Sequence, residues 1–270
     1  MTKIVVHNGK AHQDDFLAAC VCAYKLDAPI FRLNPTEKDL KDPDIWVLDQ
    51  GGDFNCSLHN FDHHQIEEKI CSFTMVLDYF YNNDFREYLP YLRFLEIYDS
   101  YGPKPAADFA GMNIDSLDFV TSPIHLCMVR IFSKIEGQVD DPMYSIMKSI
   151  GEEICNQIES IEELLGILEE AEFFDYSKYR VLDVTKCIPP EGYRFDQLPT
   201  KIYCKVKKEH ADVILTPDSR KPENFRMIST NLDVARFEKN DISEFTHNSG
   251  FLTTFNDYSK FSYILDNFTK

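Results

Sequence analysis

A chain of 270 residues is long enough to bury a substantial core and, at ~100–200 residues per domain, points to two domains. Its net charge of −17 argues against any function that needs a broad, non-specific grip on a polyanion or an anionic membrane. A 44% hydrophobic content, with 21 Phe and 14 Tyr spread along the chain, excludes a disordered protein.

Lys3 to His7 reads as a buried strand entering a fold rather than a targeting segment. Asp14 to Leu26 reads as a helix with Phe16, Leu17, Cys20, Val21 and Tyr24 on one face. The longest apolar stretch, Phe16 to Tyr24, is too short to cross a bilayer, so no membrane partner is expected. Pro29 to Leu33 and Ile45 to Asp49 read as further strands, and strands alternating with helices suggest a parallel sheet. A helical stretch runs from Phe73 to about Tyr98 and breaks near Pro90. Ser145 to Phe174 is the longest helical pattern, and its acidic run (Glu159, Glu162, Glu163, Glu169, Glu170) reads as a solvated face.

Beyond it, Tyr179–Val184, Lys201–Val206 and Ala211–Thr216 read as strands between turns at Pro189-Pro190, Pro199-Thr200 and Pro217-Asp218. The expected class is α/β: a first domain over 1–120, a helical connector over 121–175, and a smaller α/β C-terminal domain over 176–270. The eight cysteines are irregularly spaced without a C-x-x-C pair, which fits reduced, mostly buried thiols and a cytoplasmic protein.

Four segments concentrate His and Asp. They are His7-Asn8-Gly9-Lys10-Ala11-His12-Gln13-Asp14-Asp15, Asp49-Gln50-Gly51-Gly52, Phe61-Asp62-His63-His64-Gln65, and Asp99 after a helix. His7, Asp49 and Asp62 each end an apolar extended run. In an open α/β sheet ligands bind outside the carboxyl ends of the strands, so these three segments should meet at one rim. Taken singly, each has a plainer reading: Asp14 as a helix N-cap, Asp49-Gln-Gly-Gly as a turn. Together, imidazoles and carboxylates without thiolate suit Mn²⁺ or Mg²⁺, and there are too many donors for one tetrahedral ion. Two divalent cations ~3.5–4 Å apart would share them through a bridging carboxylate.

The ordered set His-(x4)-His-x-Asp, Asp-x-Gly-Gly, Asp-His-His-Gln and a later Asp resembles the DHH phosphoesterases. Within them the chain is most similar to the melanocyte-proliferating-gene (Myg) exonuclease family. It shares His7-Asn8-Gly9, Phe61-Asp62-His63-His64-Gln65 and His247-Asn248-Ser249-Gly250-Phe251. The resemblance implies a Rossmann-like parallel-sheet domain holding two cations, Mn²⁺ before Mg²⁺, and a C-terminal domain that binds substrate. It implies that His7 and His12 hold one metal, that Asp14, His63 and Asp99 complete the other, and that Asp49 bridges. It also implies that Asp62 orients a histidine, that His64 faces the phosphate, and that His247, Ser249 and Gly250 contact substrate. This chain departs from the family in Gln13-Asp14-Asp15, where Cys-Asp-Glu is usual, and in Thr253-Thr254, where paired glycines often stand.

The function implied is a metal-dependent 3′–5′ exonuclease on RNA or single-stranded nucleic acid. A small-molecule phosphodiesterase or phosphatase acting on short oligonucleotides, cyclic dinucleotides, nucleoside phosphates or pyrophosphate fits the acidic surface better. A non-catalytic binding protein is the third reading. Lys10 and Arg220 are candidate substrate cations beside their plainer reading as surface charge. A homodimer and a nuclear or mitochondrial location stay open.

Overall fold

The computed structural model describes residues 1–67, 70–81, 86, 88–89, 91–117, 122–190 and 197–270. The chain divides into two compact units, Met1–Ile158 and Glu159–Lys270. The division falls inside a long helix, and the expected boundary at 120 lies outside the described residues.

The first unit is built on β1 (Lys3–Val6), β2 (Ile30–Arg32), β3 (Ile45–Leu48), β4 (Phe54–Asn55), β5 (Asn60–Phe61) and β6 (Gly137–Gln138), in the order β4-β5-β3-β1-β2-β6. β1 runs parallel to β2 and β3, and β3 parallel to β5, while β4 and β6 are antiparallel edges. Ile45-Trp46-Val47-Leu48 is wholly buried, as expected of a central parallel strand covered on both faces. In register, Val6 pairs with Leu48 and Leu48 with Phe61. The residues that follow (His7, Asp49 and Asp62) therefore leave the sheet flush with one another. From β1 the chain moves to β2 on one side, and from β3 to β5 on the other. The strand order thus reverses between β1 and β3, the place where open sheets hold ligands.

Helix α1 (Gln13–Leu26) is buried on every side from Asp14 to Ala23, a wider contact than the single apolar face expected. One cause is the close approach of α6 (Asp141–Leu168): a Cβ on Gly151 would lie 2.0 Å from the Cys20 carbonyl oxygen. Only glycine lets these backbones meet. The stretch expected to be helical from Phe73 contains α2 (Ser72–Phe80) and α3 (Leu92–Tyr101), and Pro90, the expected break, lies outside the described residues. α4 (Pro103–Phe109) and α5 (Pro123–Ser133) follow, each starting at a proline.

In α6 the residues Ile158, Ile161, Leu164 and Leu168 are buried while the glutamates expected on a solvated face are exposed. The helix ends earlier than expected. Glu172–Tyr176 is β7, which pairs antiparallel with β8 (Tyr179–Asp183) through a hairpin at Ser177-Lys178. The aromatic residues of β7 gain cross-strand partners that a continued helix would deny them.

The second unit holds a mixed sheet in the order β11-β12-β10-β9-β8-β7, in which β8 and β9 (Val213–Asp218) are parallel. β10 (Lys221–Ser229), β11 (Phe245–Thr246) and β12 (Leu252–Phe255) extend it, and α8 (Lys260–Asn267) follows. The Lys201–Val206 strand expected from sequence is instead the body of α7 (Gln197–Lys207). Ile202 and Tyr203 are buried but Val206 is 55% exposed, a spacing that fits a helix rather than alternation. Pro199-Thr200 therefore belongs to the first turn of α7, and Pro217-Asp218 to the end of β9, not to free turns. Among the described residues no helix is long and apolar enough to cross a membrane.

Candidate metal centre

The turn after β1 carries His7. It is fixed by Arg32, the last residue of β2, which is 1% exposed. Its guanidinium donates to the His7 carbonyl from Nε at 3.1 Å and Nη2 at 2.7 Å, to the Gly9 carbonyl at 3.0 Å, and to the Phe132 carbonyl at 2.6 Å. His12 caps α1, so Asp14 is an interior residue of the first turn and not the cap. Asp49 leaves β3 in a left-handed backbone (φ 57°), and its N–H donates to the Phe61 carbonyl at 3.0 Å. The Ser72 hydroxyl at the start of α2 donates to Asp49 Oδ1 at 3.0 Å and lies within bonding reach of the Phe61 carbonyl at 2.9 Å.

These elements bring the expected donors of the first unit to one rim. His7 Nε2 lies 2.7 Å from Asp15 Oδ2 and 3.5 Å from Asp49 Oδ2. His63 Nε2 lies 3.2 Å from Asp49 Oδ1, 3.1 Å from Asp99 Oδ2 and 4.0 Å from Asp14 Oδ2. Three sets offer donor atoms within 4.8 Å of one another: His7, His12 and Asp49; Asp49, His63 and His64; His12, Asp14 and Asp99. Asp49 and His12 each belong to two sets, so the sets form one continuous cluster.

Asp62 stands apart in function. Its Oδ1 accepts the His64 N–H at 3.0 Å and faces His64 Nδ1 at 2.7 Å, while Oδ2 accepts the Gly52 N–H at 2.6 Å. Those bonds hold its carboxyl below the usual range against the upward pull of burial. With Nδ1 engaged by a carboxylate, the imidazole of His64 presents Nε2 outward from a side chain that is 64% exposed.

The charge balance of the cluster is unusual. Burial, then Asp49, Asp99 and Asp15, push the Asp14 carboxyl well above its ordinary value. Burial also raises Asp15, against His7. Burial pulls His63 down, but the Asp49 and Asp99 carboxylates outweigh it and hold the imidazole protonated up to about 10. The Asp15 carboxylate likewise raises His7. Neither oxygen of the fully buried Asp14 accepts a hydrogen bond from a described residue. An unpartnered buried carboxylate costs several kcal/mol unless a cation or a proton meets it. The donor set is imidazole and carboxylate without thiolate, so a borderline-to-hard divalent cation such as Mn²⁺ or Mg²⁺ fits the residues present.

Lys10 is exposed in the His7–His12 turn. In the second unit, His247, Ser249 and Gly250 form the turn between β11 and β12, with Gly250 at φ 77°. They line a cavity of about 490 Å³ with Arg236, Lys239 and Asn248. The Ser249 N–H donates to His247 Nδ1 at 3.2 Å, which leaves the His247 Nε2 hydrogen facing outward. Arg220 is exposed in the β9–β10 turn and does not line that cavity. Thr253 and Thr254 lie inside β12 and are buried; the Thr253 hydroxyl bonds Thr246 and Ser243, so these residues form no phosphate-cradling loop. The contacts that sequence reasoning missed are Asp15 against His7, Arg32 under the His7 turn, and Ser72 on Asp49.

Residues 3–79 match the family model MYG1_exonuc, described as an uncharacterised protein family (UPF0160). The matched segment includes His7, His12, Asp14, Asp49, Asp62, His63 and His64; Asp99 and the His247–Phe251 turn lie beyond it. A comparison with curated proteins returns no match. Among solved structures, the chain is similar to a pGpG-specific phosphodiesterase, PggH, from Vibrio cholrae, at 12% identity and a TM-score of 0.29, over 96% of this chain and 95% of that one. It is also similar to RecJ in complex with Mn²⁺ from Thermus thermophilus, at 12% identity and a TM-score of 0.28, over 97% of this chain and 50% of that one. Likenesses so remote leave the chemistry to be argued from the cluster itself.

Proposed function

We propose that the first unit hydrolyses phosphodiester bonds with divalent cations held by His7, His12, Asp14, Asp49, His63 and Asp99. The observation that carries this reading is the buried Asp14 carboxylate, whose oxygens have no protein partner among the described residues and face three further carboxylates and the imidazoles at one sheet rim. The match of residues 3–79 to an exonuclease family model supports it. Two ions, with Asp49 between them, account for a donor set too large for one, and Mn²⁺ is the first choice. Bound there, the cations would supply an activated water near neutral pH and neutralise charge on the phosphoryl oxygens.

The chain's own residues do the rest. Asp49 is held for a bridging role by the Ser72 hydroxyl and its own strained turn. Asp62 fixes His64 so that its outward Nε2 meets a phosphoryl or leaving-group oxygen, where a protonated imidazole stabilises or protonates it. In the second unit the outward Nε2–H of His247, the Ser249 hydroxyl and the backbone at Gly250 offer donors to substrate phosphate. Lys10 and Arg220 add positive charge to the binding of a polyanion.

The substrate we assign is RNA or single-stranded nucleic acid, shortened from its 3′ end. The charge of −17 favours a second reading, a phosphodiesterase on short oligonucleotides or other compact phosphates, because a compact substrate needs only the metal cleft. Eight free cysteines favour a reducing compartment, the cytoplasm. The test is an activity panel with Mn²⁺ on end-labelled single strands, dinucleotides and pyrophosphate. Mononucleotides released singly from the 3′ end support the exonuclease, and turnover of dinucleotides alone supports the second reading. Loss of all turnover in His63→Ala and Asp49→Ala, with the fold intact, is expected in either case; full activity in Asp49→Ala sinks both.

A further inference from the structure

The reading above leaves unspecified what is esterified to the phosphate, and the following rests on it. Helix α3, which delivers Asp99, carries an aromatic series at Tyr91, Phe94, Tyr98 and Tyr101. A spacing of three, four and three residues puts all four on one helical face. It is not the face that packs the core, which is formed by Leu92, Leu95 and Glu96. Tyr91, Tyr98 and Tyr101 are 38%, 45% and 49% exposed, and the half-buried Phe94 ring backs that of Tyr98 at 6.0 Å. At 1.5 Å per residue, Phe94 to Tyr101 extends about 10 Å, room for two or three stacked bases.

We propose that this aromatic face is a platform on which the nucleobases of the substrate stack while the scissile phosphate lies at the His/Asp cluster. The occupant follows from position and charge. Tyr98 directly precedes Asp99 and projects about 100° round the helix from it, so the nucleoside attached to a phosphate at Asp99 starts beside Tyr98. The cations on these helices are already engaged: Arg93 with Glu96 at 3.0 Å, and Lys104 of α4 with Asp108 at 3.6 Å. Stacking therefore replaces phosphate contacts as the source of grip, which reconciles a nucleic-acid substrate with a chain of charge −17. Stacking is tolerant of sequence, because every base has a π-face. The substrate class is thus a base-bearing phosphodiester of any sequence, not pyrophosphate.

The experiment uses the full-length protein with Mn²⁺ and two substrates, a deoxyadenylate dinucleotide and the same diester with abasic sugars. The wild type is expected to show a KM about tenfold or more lower for the dinucleotide, the effect of one base stack. Tyr98→Ala should bring that ratio close to one, Tyr101→Ala should reduce it, and Tyr98→Phe, which keeps the ring, should retain it. A wild type that cleaves both diesters with equal KM overturns the platform while leaving the phosphodiesterase reading in place. So does a ratio untouched by Tyr98→Ala. Sedimentation showing that Tyr98→Ala only splits a dimer assigns the face to a second copy of the chain and also overturns the proposal. A wild type that cleaves neither diester sinks the hydrolase reading and this one with it.

Discussion

Arg32 offers the sharpest test of how the His7 turn is held. Arg32→Met keeps an apolar stem against Phe132 but removes every donor, leaving the carbonyls of His7, Gly9 and Phe132 without the guanidinium. At about 1 kcal/mol for each buried acceptor left unpaired, the loss is about 3 kcal/mol. Releasing a buried charge returns part of this, but the charge already sits beside acidic Asp15, so the balance stays destabilising. For a unit of this size, about 3 kcal/mol lowers Tm by roughly 6–12 °C. Arg32→Lys keeps the charge but cannot fork to three carbonyls, and should lose most of the same stability. Thermal unfolding with chelator and with Mn²⁺ reads two things at once. Because Arg32 sets the path from His7 to His12, the stabilisation by Mn²⁺ should shrink in both variants. A Met variant within about 1 kcal/mol of the wild type, the worth of a single one of these bonds, with an unchanged response to Mn²⁺, refutes the idea that this side chain organises the turn.

Three further outcomes are expected. Gly151→Ala pushes a methyl onto the Cys20 carbonyl, which is backbone and cannot swing away, so the urea midpoint should fall by the equivalent of about 2 kcal/mol or more. Asp49→Asn keeps an acceptor for Ser72 but loses the charge between the donor sets; Mn²⁺ at about 100 times its Kd should stabilise the wild type by about 2.7 kcal/mol and this variant hardly at all, and chelator should erase the difference. Asp39, bonded by the Thr36 N–H, the Thr36 hydroxyl and Lys3, is held down to about 2 from 3.8. A depressed carboxylate stabilises above its unfolded value and loses that contribution as pH falls through its folded value. Asp39→Asn should therefore be less stable than wild type at about pH 7, with the gap narrowing below about pH 4 and closing near about pH 2 in denaturant titrations.

Much of the first unit was legible because its strands are unbroken apolar runs and its donors sit where those runs stop. Lys3–Val6, Ile30–Arg32 and Ile45–Leu48 needed no tertiary information, and their parallel pairing explains why His7, Asp49 and Asp62 emerge level. Arg32 was hidden by its type, since a cation at the end of a strand ordinarily reads as surface charge. Its place in an apolar strand, between Phe31 and Leu33, was the one available signal. Asp15 was hidden by Asp14, because two adjacent acids at a helix start look interchangeable until the fold gives one to His7 and leaves the other bare. In the second unit Ile202, Tyr203 and Val206 are all good strand formers, and only burial of the first two with exposure of the third reveals a helix. The Glu172–Tyr176 strand was absorbed into the preceding helical pattern because its partner strand is needed to define it.

The donors of the cluster come from five separate places: the ends of β1, β3 and β5, the start of α1 and the last turn of α3. No short piece of chain contains enough of them to grip an ion. Unlike a zinc finger, whose cation can organise a local fragment, this protein must complete its long-range parallel pairings before a tight site exists. Cation uptake should accordingly be a late event in refolding. In a stopped-flow experiment its appearance would mark the moment at which the sheet closes, and a cell short of Mn²⁺ would accumulate chains that are finished in shape but empty.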